Sequence, residues 1–134
     1  MANYELCAGD IMQVEIATIL GDLSVAEAAR QMLFEGVRSL IVEPRSASDP
    51  LAIITYSDIV NRVLAHKQDP EQITVDAVMT KPLITVPPNM PVEYIARLFR
   101  QHRIGHVPVV EGDKLIGIVS MTDLVTEIIA ENGE

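Results

Sequence analysis

Two short runs in this sequence carry side chains suited to holding a polar ligand: Thr55-Tyr56-Ser57-Asp58 and Ser120-Met121-Thr122-Asp123. Each places hydroxyls at its first and third positions and a carboxylate at its fourth. Each follows an apolar, β-branched run and precedes apolar residues at helical spacing, so each reads as a strand-to-helix junction. The first amides of a helix lack intrahelical acceptors. With those amides, Thr55, Ser57, Ser120 and Thr122 form a place where phosphate or ribose oxygens can bind. Asp58 and Asp123 fall in the first helical turn. There a carboxylate serves equally well as a helix cap favoured by the dipole or as an acceptor for ligand hydroxyls.

Anionic ligands need cations, and a chain with 19 acidic residues against 10 Lys and Arg, formally -9, must supply them locally. Arg38 and His106 stand at the starts of apolar runs, and Arg103 and Lys81 are further candidates. His102 and His106 have the i, i+4 spacing of a helical metal pair, but Gly105 and Pro108 interrupt any helix there, so no metal site is expected. Arg62, four residues after Asp58, can pair with it, whereas its counterpart Glu127 cannot assist an anion. The two junctions are therefore expected to differ. No Gly-rich phosphate loop, nucleophile elbow or zinc motif occurs, and Cys7 has no nearby histidine in sequence, so no enzyme is expected.

The 134 residues suit one ordinary domain, and 49% hydrophobic content is enough for a packed core. The acidic balance and 4% aromatic content argue against nucleic acid, which is held by basic stripes and stacked rings. No apolar run reaches the ~18 residues of a membrane span. The start of the chain lacks the basic and apolar segments of a signal peptide, and one cysteine forms no internal disulfide. A soluble, cytoplasmic protein is expected.

The elements that must position these residues occur twice. Shifted by 67 positions, Met12 falls on Met79, Thr18 on Thr85, Val25 on Val92, Ala29 on Ala96 and Val42 on Val109. After Pro44–Pro50, which carries two extra residues, the shift becomes 65 and Ala52–Val60 aligns with Gly117–Val125. Each copy predicts a strand (Ile16–Leu20; Leu83–Val86), then a helix opened by Ser24 with Glu27, or by Pro91, and ended in the first copy by Gly36. Two further strands follow (Ser39–Glu43 and Leu51–Thr55; His106–Glu111 and Leu115–Ser120), then a last helix. Gly112-Asp113 signals a hairpin turn. Short helical leads fall at Asp10–Met12 and Asp76–Met79. The expected division is 1–66 for copy one with its lead, 67–73 as linker and 74–134 for copy two.

Two β-α-β-β-α units, each with a Thr/Ser-x-Ser/Thr-Asp turn, resemble a tandem pair of CBS (cystathionine β-synthase) domains, a Bateman module. The resemblance runs from about Ala8 to Ile129. It is strongest at Val107-Pro108-Val109-Val110 and Gly117-Ile118-Val119-Ser120-Met121-Thr122-Asp123-Leu124. In the first copy Ile41 stands where the proline is and Ala52 where the glycine is. The implied fold is mixed α/β, with two repeats packed sheet to sheet about a pseudo-twofold axis and ligand clefts between them.

The resemblance also implies roles. Asp123, and in the first copy Asp58, would accept hydrogen bonds from both ribose hydroxyls. Adenine would meet the strand-entry segments Glu15-Ile16-Ala17 and Pro82-Leu83-Ile84, together with Val37, Ile104, Ile53 and Ile118, and Pro108 is a further binding candidate. Phosphates would meet Arg38, His106, Arg103 and Lys81. AMP is the first expectation, then ADP or ATP, with S-adenosylmethionine or a cyclic dinucleotide after them. The implied protein is a stand-alone regulatory homodimer acting on another protein. The rival expectation is a ligand-free interaction scaffold that uses the helices carrying Ile59, Val60, Val63, Leu64, Ile128 and Ile129.

Overall fold

The computed structural model describes residues 4–81 and 83–132. In chain order the elements are α1 (Ala8–Ile11), β1 (Thr18–Ile19), α2 (Val25–Glu35), β2 (Ser39–Val42), β3 (Ala52–Thr55), α3 (Tyr56–Arg62), a 3-10 turn at Leu64–His66, α4 (Val75–Val78), α5 (Val92–His102), β4 (His106–Glu111), β5 (Lys114–Ser120) and α6 (Met121–Asn132). The mixed α/β class and the repeated order of elements are as expected.

The chain forms two compact units: Ile16–Leu83, and the segment up to Glu15 together with Ile84 onward. In the first, β1 runs parallel to β2 and β2 antiparallel to β3. The apolar stripe of α2 (Val25, Ala28, Met32) packs on Leu40, Val42, Ala52 and Ile54, with Ile59, Val63, Val75 and Val78 completing the core. Ser24 caps α2 by accepting from the Glu27 amide at 3.1 Å. Gly36 ends it at φ +68°, a left-handed conformation that costs glycine little. In the second unit the β4–β5 hairpin, turned at Gly112, carries Val107, Val109 and Val119 against Val92, Ile95 and Phe99 of α5, with Leu124, Val86, Ala8 and Ile11.

These units divide the chain differently from the expected cut at 66–74, because each copy's lead docks in the other copy's unit. The Val25 amide donates to Ile73 and the Val92 amide to Leu6. The Val75 amide donates to Leu23 and the Ala8 amide to Met90. Residues Gln13 and Thr80, equivalent under the repeat, bridge Ile118 and Ile53 respectively. The expected linker also belongs to the first unit. The Pro70 carbonyl accepts from Ala26, and Glu71 forms an ion pair with Arg30.

The two expected first strands are shorter than their apolar runs, and unequally so. In copy one, Ile41 and Glu43 donate to Ala17 and Ile19 at 3.0 and 2.9 Å, which leaves Thr18–Ile19 as strand. Pro108 is the counterpart of Ile41 and has no N–H to give to Ile84. Among the described residues copy two therefore keeps the Val86–Val109 bridge alone, and Pro87-Pro88 cannot extend it.

Candidate functional site

The ends of β3 and β5 bring each hydroxyl–carboxylate run into the same local arrangement. In the first unit Thr55 is the N-cap of α3. Its hydroxyl accepts from the Asp58 amide at 3.2 Å, and Asp58 Oδ2 accepts from the Thr55 amide and hydroxyl at 3.0 and 3.2 Å. In the second unit the Ser120 hydroxyl accepts from the Asp123 amide at 3.1 Å and donates to Asp123 Oδ2 at 2.7 Å. The Asp58 carboxylate thus caps its helix through the Thr55 amide, whereas the Asp123 carboxylate is held by the Ser120 hydroxyl. Neither is turned out into solvent: Asp58 is 8% exposed and Asp123 half-buried.

The other carboxylate oxygen meets a side chain that sequence reasoning missed. Thr80 Oγ1 donates to Asp58 Oδ1 at 2.9 Å, and Gln13 Nε2 donates to Asp123 Oδ1 at 3.3 Å. Both residues lie on the docked leads, in positions matched by the repeat. The 67-residue shift pairs them, but only the exchange of leads puts them beside these acids. Arg62 adds an asymmetry foreseen from its spacing. Its Nε lies 4.0 Å from Asp58 Oδ1, and its Nη1 donates to the carbonyls of Val78 and Met79 at 3.0 and 3.2 Å.

Ile84, Arg103, His106, Pro108, Ile118, Ser120 and Thr122 belong to the same unit as Asp123. His106 is the cross-strand partner of Ser120, and Pro108 that of Ile118. The Met121 amide donates to the Gly105 carbonyl at 2.8 Å, so the start of α6 is tied to the approach of β4. Arg103 is exposed, at φ +54° in the left-handed cap of α5 that Gly36 fills on α2. Thr122 is also exposed. Around Asp58 the first unit places Ser39 opposite Thr55, with exposed Arg38 one residue earlier. Ser57 is exposed and accepts from Asn61.

The apolar candidates divide by face. Ala17, Val37 and Ile104 pack against their units' core clusters, as ordinary core side chains do. Ile53, Pro108 and Ile118 are buried but alternate with the core-facing residues of their strands, so they stand on the opposite sheet face. Ile16 and Leu83 are half-buried at the two points where the chain passes between units.

Two candidates assigned to the second copy do not join Asp123 in its unit: Lys81 and Leu83 belong to the first. Lys81 forms a hydrogen-bonded ion pair with Asp49. The Arg45 amide and then the Lys81 ammonium hold the Asp49 carboxyl below the usual carboxylate range. Burial opposes them. Pro82 lies outside the described residues. No group of three or more His, Cys, Asp or Glu side chains suited to a metal ion occurs among the described residues. Nor is any helix among them long and apolar enough to cross a membrane.

The chain is thus a duplicated α/β unit with a carboxylate bonded at each strand–helix junction. Residues 8–65 and 75–130 each match the CBS domain, and the chain belongs to that family. It is similar to the CBS domain-containing protein YhcV of Bacillus subtilis, 32% identical over 115 residues, 86% of this chain and 80% of that protein. It is also similar to the hexameric CBS-CP12 protein from bloom-forming cyanobacteria, with 42% identity, TM-score 0.88, and coverage of 96% of this chain and 75% of that one. The CBS domain pair of protein MJ0100, in complex with 5′-methylthioadenosine and S-adenosyl-L-methionine, matches at 25% identity and TM-score 0.78 over 94% of this chain and 97% of that one. The chain spans 58% and 59% of the length of two archaeal relatives, from Methanocaldococcus jannaschii and Methanopyrus kandleri.

Proposed function

We infer that this CBS pair is a cytoplasmic sensor of an adenosine nucleotide, AMP before ADP or ATP, and that it passes ligand occupancy to a partner protein. The observation that carries this reading is the carboxylate of Asp123. It is held half-buried by Ser120, on the strand whose cross-strand neighbour at that point is His106. A carboxylate accepts a vicinal diol through both oxygens, and such charge-assisted bonds contribute about 1.5–3 kcal/mol each. Ile118 and Pro108 offer apolar surface for a base, and Arg103 and His106 positive or donor groups for phosphate. Asp58, closed in by Arg62 and Thr80, is the weaker of the two sites. A ligand acts only through unequal affinity for two arrangements of the protein. Occupancy therefore shifts which surface the pair presents.

The adenosine part of the reading agrees with the ligands of the MJ0100 pair. S-adenosylmethionine is accordingly the second ligand to test, followed by cyclic dinucleotides. Self-association belongs to the same proposal. Met121, Val125 and Ile129 form an exposed i, i+4, i+8 stripe on α6, which favours a homodimer through that helix. The hexamer of the cyanobacterial relative is the competing assembly. That stripe also supports the rival scaffold reading, in which the pair binds partners without a ligand.

Thermal unfolding with each nucleotide separates these readings. Free ligand at ~100 times its Kd adds about 2.7 kcal/mol of stability. AMP is expected to raise the melting temperature of the wild type and not that of Asp123→Ala. A wild type that responds to none of the adenosine ligands favours the scaffold.

A further inference from the structure

We propose that Gln13 is a displaceable latch on the Asp123 site and that Thr80, with Arg62, is the lock that keeps the equivalent Asp58 site closed. The proposal rests on the reading of Asp123 as the group that grips the ligand's diol. Each lead residue does two things. Its backbone exchanges a pair of hydrogen bonds with the last strand of its unit: Gln13 with Ile118 at 2.8 and 3.0 Å, Thr80 with Ile53 at 2.9 and 3.1 Å. Its side chain donates to the Oδ1 atom of the adjacent acid. A diol that spans both carboxylate oxygens competes with that side chain for Oδ1, while the backbone pair keeps the lead docked.

The two acids differ in how much a ligand must displace. Asp58 accepts three hydrogen bonds, from the Thr55 amide, the Thr55 hydroxyl and the Thr80 hydroxyl at 2.9 Å, with the Arg62 guanidinium at 4.0 Å. Among the described residues Asp123 accepts two, from the Ser120 hydroxyl and, at 3.3 Å, from the Gln13 side-chain amide. A carboxylate has about four lone-pair directions, so Asp123 keeps room for a diol where Asp58 has little. The long bond from an exposed Gln13 is the one most easily exchanged. Ligand therefore enters at Asp123 first, and its arrival frees the Gln13 side chain.

Calorimetric titration of AMP against the wild type, Gln13→Ala, Gln13→Met, Thr80→Val and Asp123→Ala tests this. The expected wild-type result is one AMP per chain. Both Gln13 variants remove the competing donor, and the methionine keeps the side-chain length. Each is expected to tighten binding about three- to tenfold. Thr80→Val is expected to add a second binding event. In the wild type, the Gln13 side-chain NH2 protons are expected to exchange faster with solvent as AMP saturates, whereas a glutamine that stays bonded to Asp123 would keep its slower exchange. Unchanged or weaker binding by both Gln13 variants, with binding still lost in Asp123→Ala, overturns the latch and leaves the ligand reading standing. Wild-type affinity in Asp123→Ala, or no binding by the wild type, overturns both.

Discussion

Replacing Gly117 with alanine is expected to loosen the N-terminal lead and to cost about 1 kcal/mol of stability overall. A Cβ built on Gly117 would lie 2.5 Å from Met12 Sδ, 2.7 Å from its Cγ and 3.0 Å from its Cβ. The sulfur and Cγ can swing aside, but the Met12 Cβ moves only with the backbone. That backbone is held by the Gln13–Ile118 pair and by the bond from the Met12 amide to the Ala8 carbonyl at 2.9 Å. Overpacking of this kind costs about 1–3 kcal/mol. Alanine in an extended strand recovers roughly 0.5–1 kcal/mol of chain entropy that glycine forfeits. The balance is about 0.5–2 kcal/mol, or about 2–7 °C in Tm for a chain of this size. The first copy shows the alternative solution. Ala52 occupies the equivalent position, and there the lead's Met79 and Ala52 both line a cavity of about 370 Å³. Urea unfolding measures the global loss, and hydrogen exchange at the Gln13 and Ile118 amides locates it. Adding Met12→Gly, which removes the Met12 Cβ, to Gly117→Ala is expected to restore most of the protection. A Gly117→Ala protein as stable as the wild type, or a double variant no better than the single one, would refute the argument.

Ile95→Ala empties a fully buried position in the second unit's core and is expected to cost about 2–5 kcal/mol in urea unfolding. Ser24→Ala removes the acceptor for the Glu27 amide and is expected to cost about 1 kcal/mol, seen as a lower urea midpoint at unchanged m. Asp49 has a carboxyl pKa lowered by the Arg45 amide and the Lys81 ammonium. Its stabilising effect is complete above the unfolded value near ~3.9 and fades as pH falls through the lower folded value. Melts between pH 7 and pH 3 should therefore show a shallower acid-side loss for Asp49→Asn than for the wild type.

The exchange of leads is the feature that gives these effects their reach. It is built with matched sterics at equivalent positions. Gly9, on the first lead, lies where an added Cβ would meet the Pro88 carbonyl oxygen at 3.2 Å. Gly21 lies where an added Cβ would meet the Asp76 Cβ, on the second lead, at 3.2 Å. The glycine is on the lead in one unit and on the receiving turn in the other. Each docking therefore has one small partner, and Asp76 set against Pro88 would bring two side chains into that narrow gap. The arrangement favours each lead in its observed unit.

Much of this protein was settled by local chemistry that a reader of the sequence can follow. Ser24 and Gly36 bound α2, Pro91 opens α5, and Gly112 turns the β4–β5 hairpin, because caps and turns depend on residues a few positions apart. The two Thr/Ser–Asp junctions were equally legible, since hydroxyl, amide and carboxylate meet within one helical turn. So was the pairing of Arg62 with Asp58 across i, i+4. What the sequence could not supply was the partner of each lead. The register that brings Gln13 to Asp123 and Thr80 to Asp58 spans 110 and 22 residues. It depends on which unit each lead finds, a choice to which the unequal packing at Gly9 and Gly21 contributes. Nor does local pattern disclose that Lys81 turns to Asp49, or that Pro108, by lacking one N–H, shortens a strand 22 residues earlier. Those outcomes belong to the tertiary structure, because hydrogen bonds between distant segments form only after the chain has brought them together.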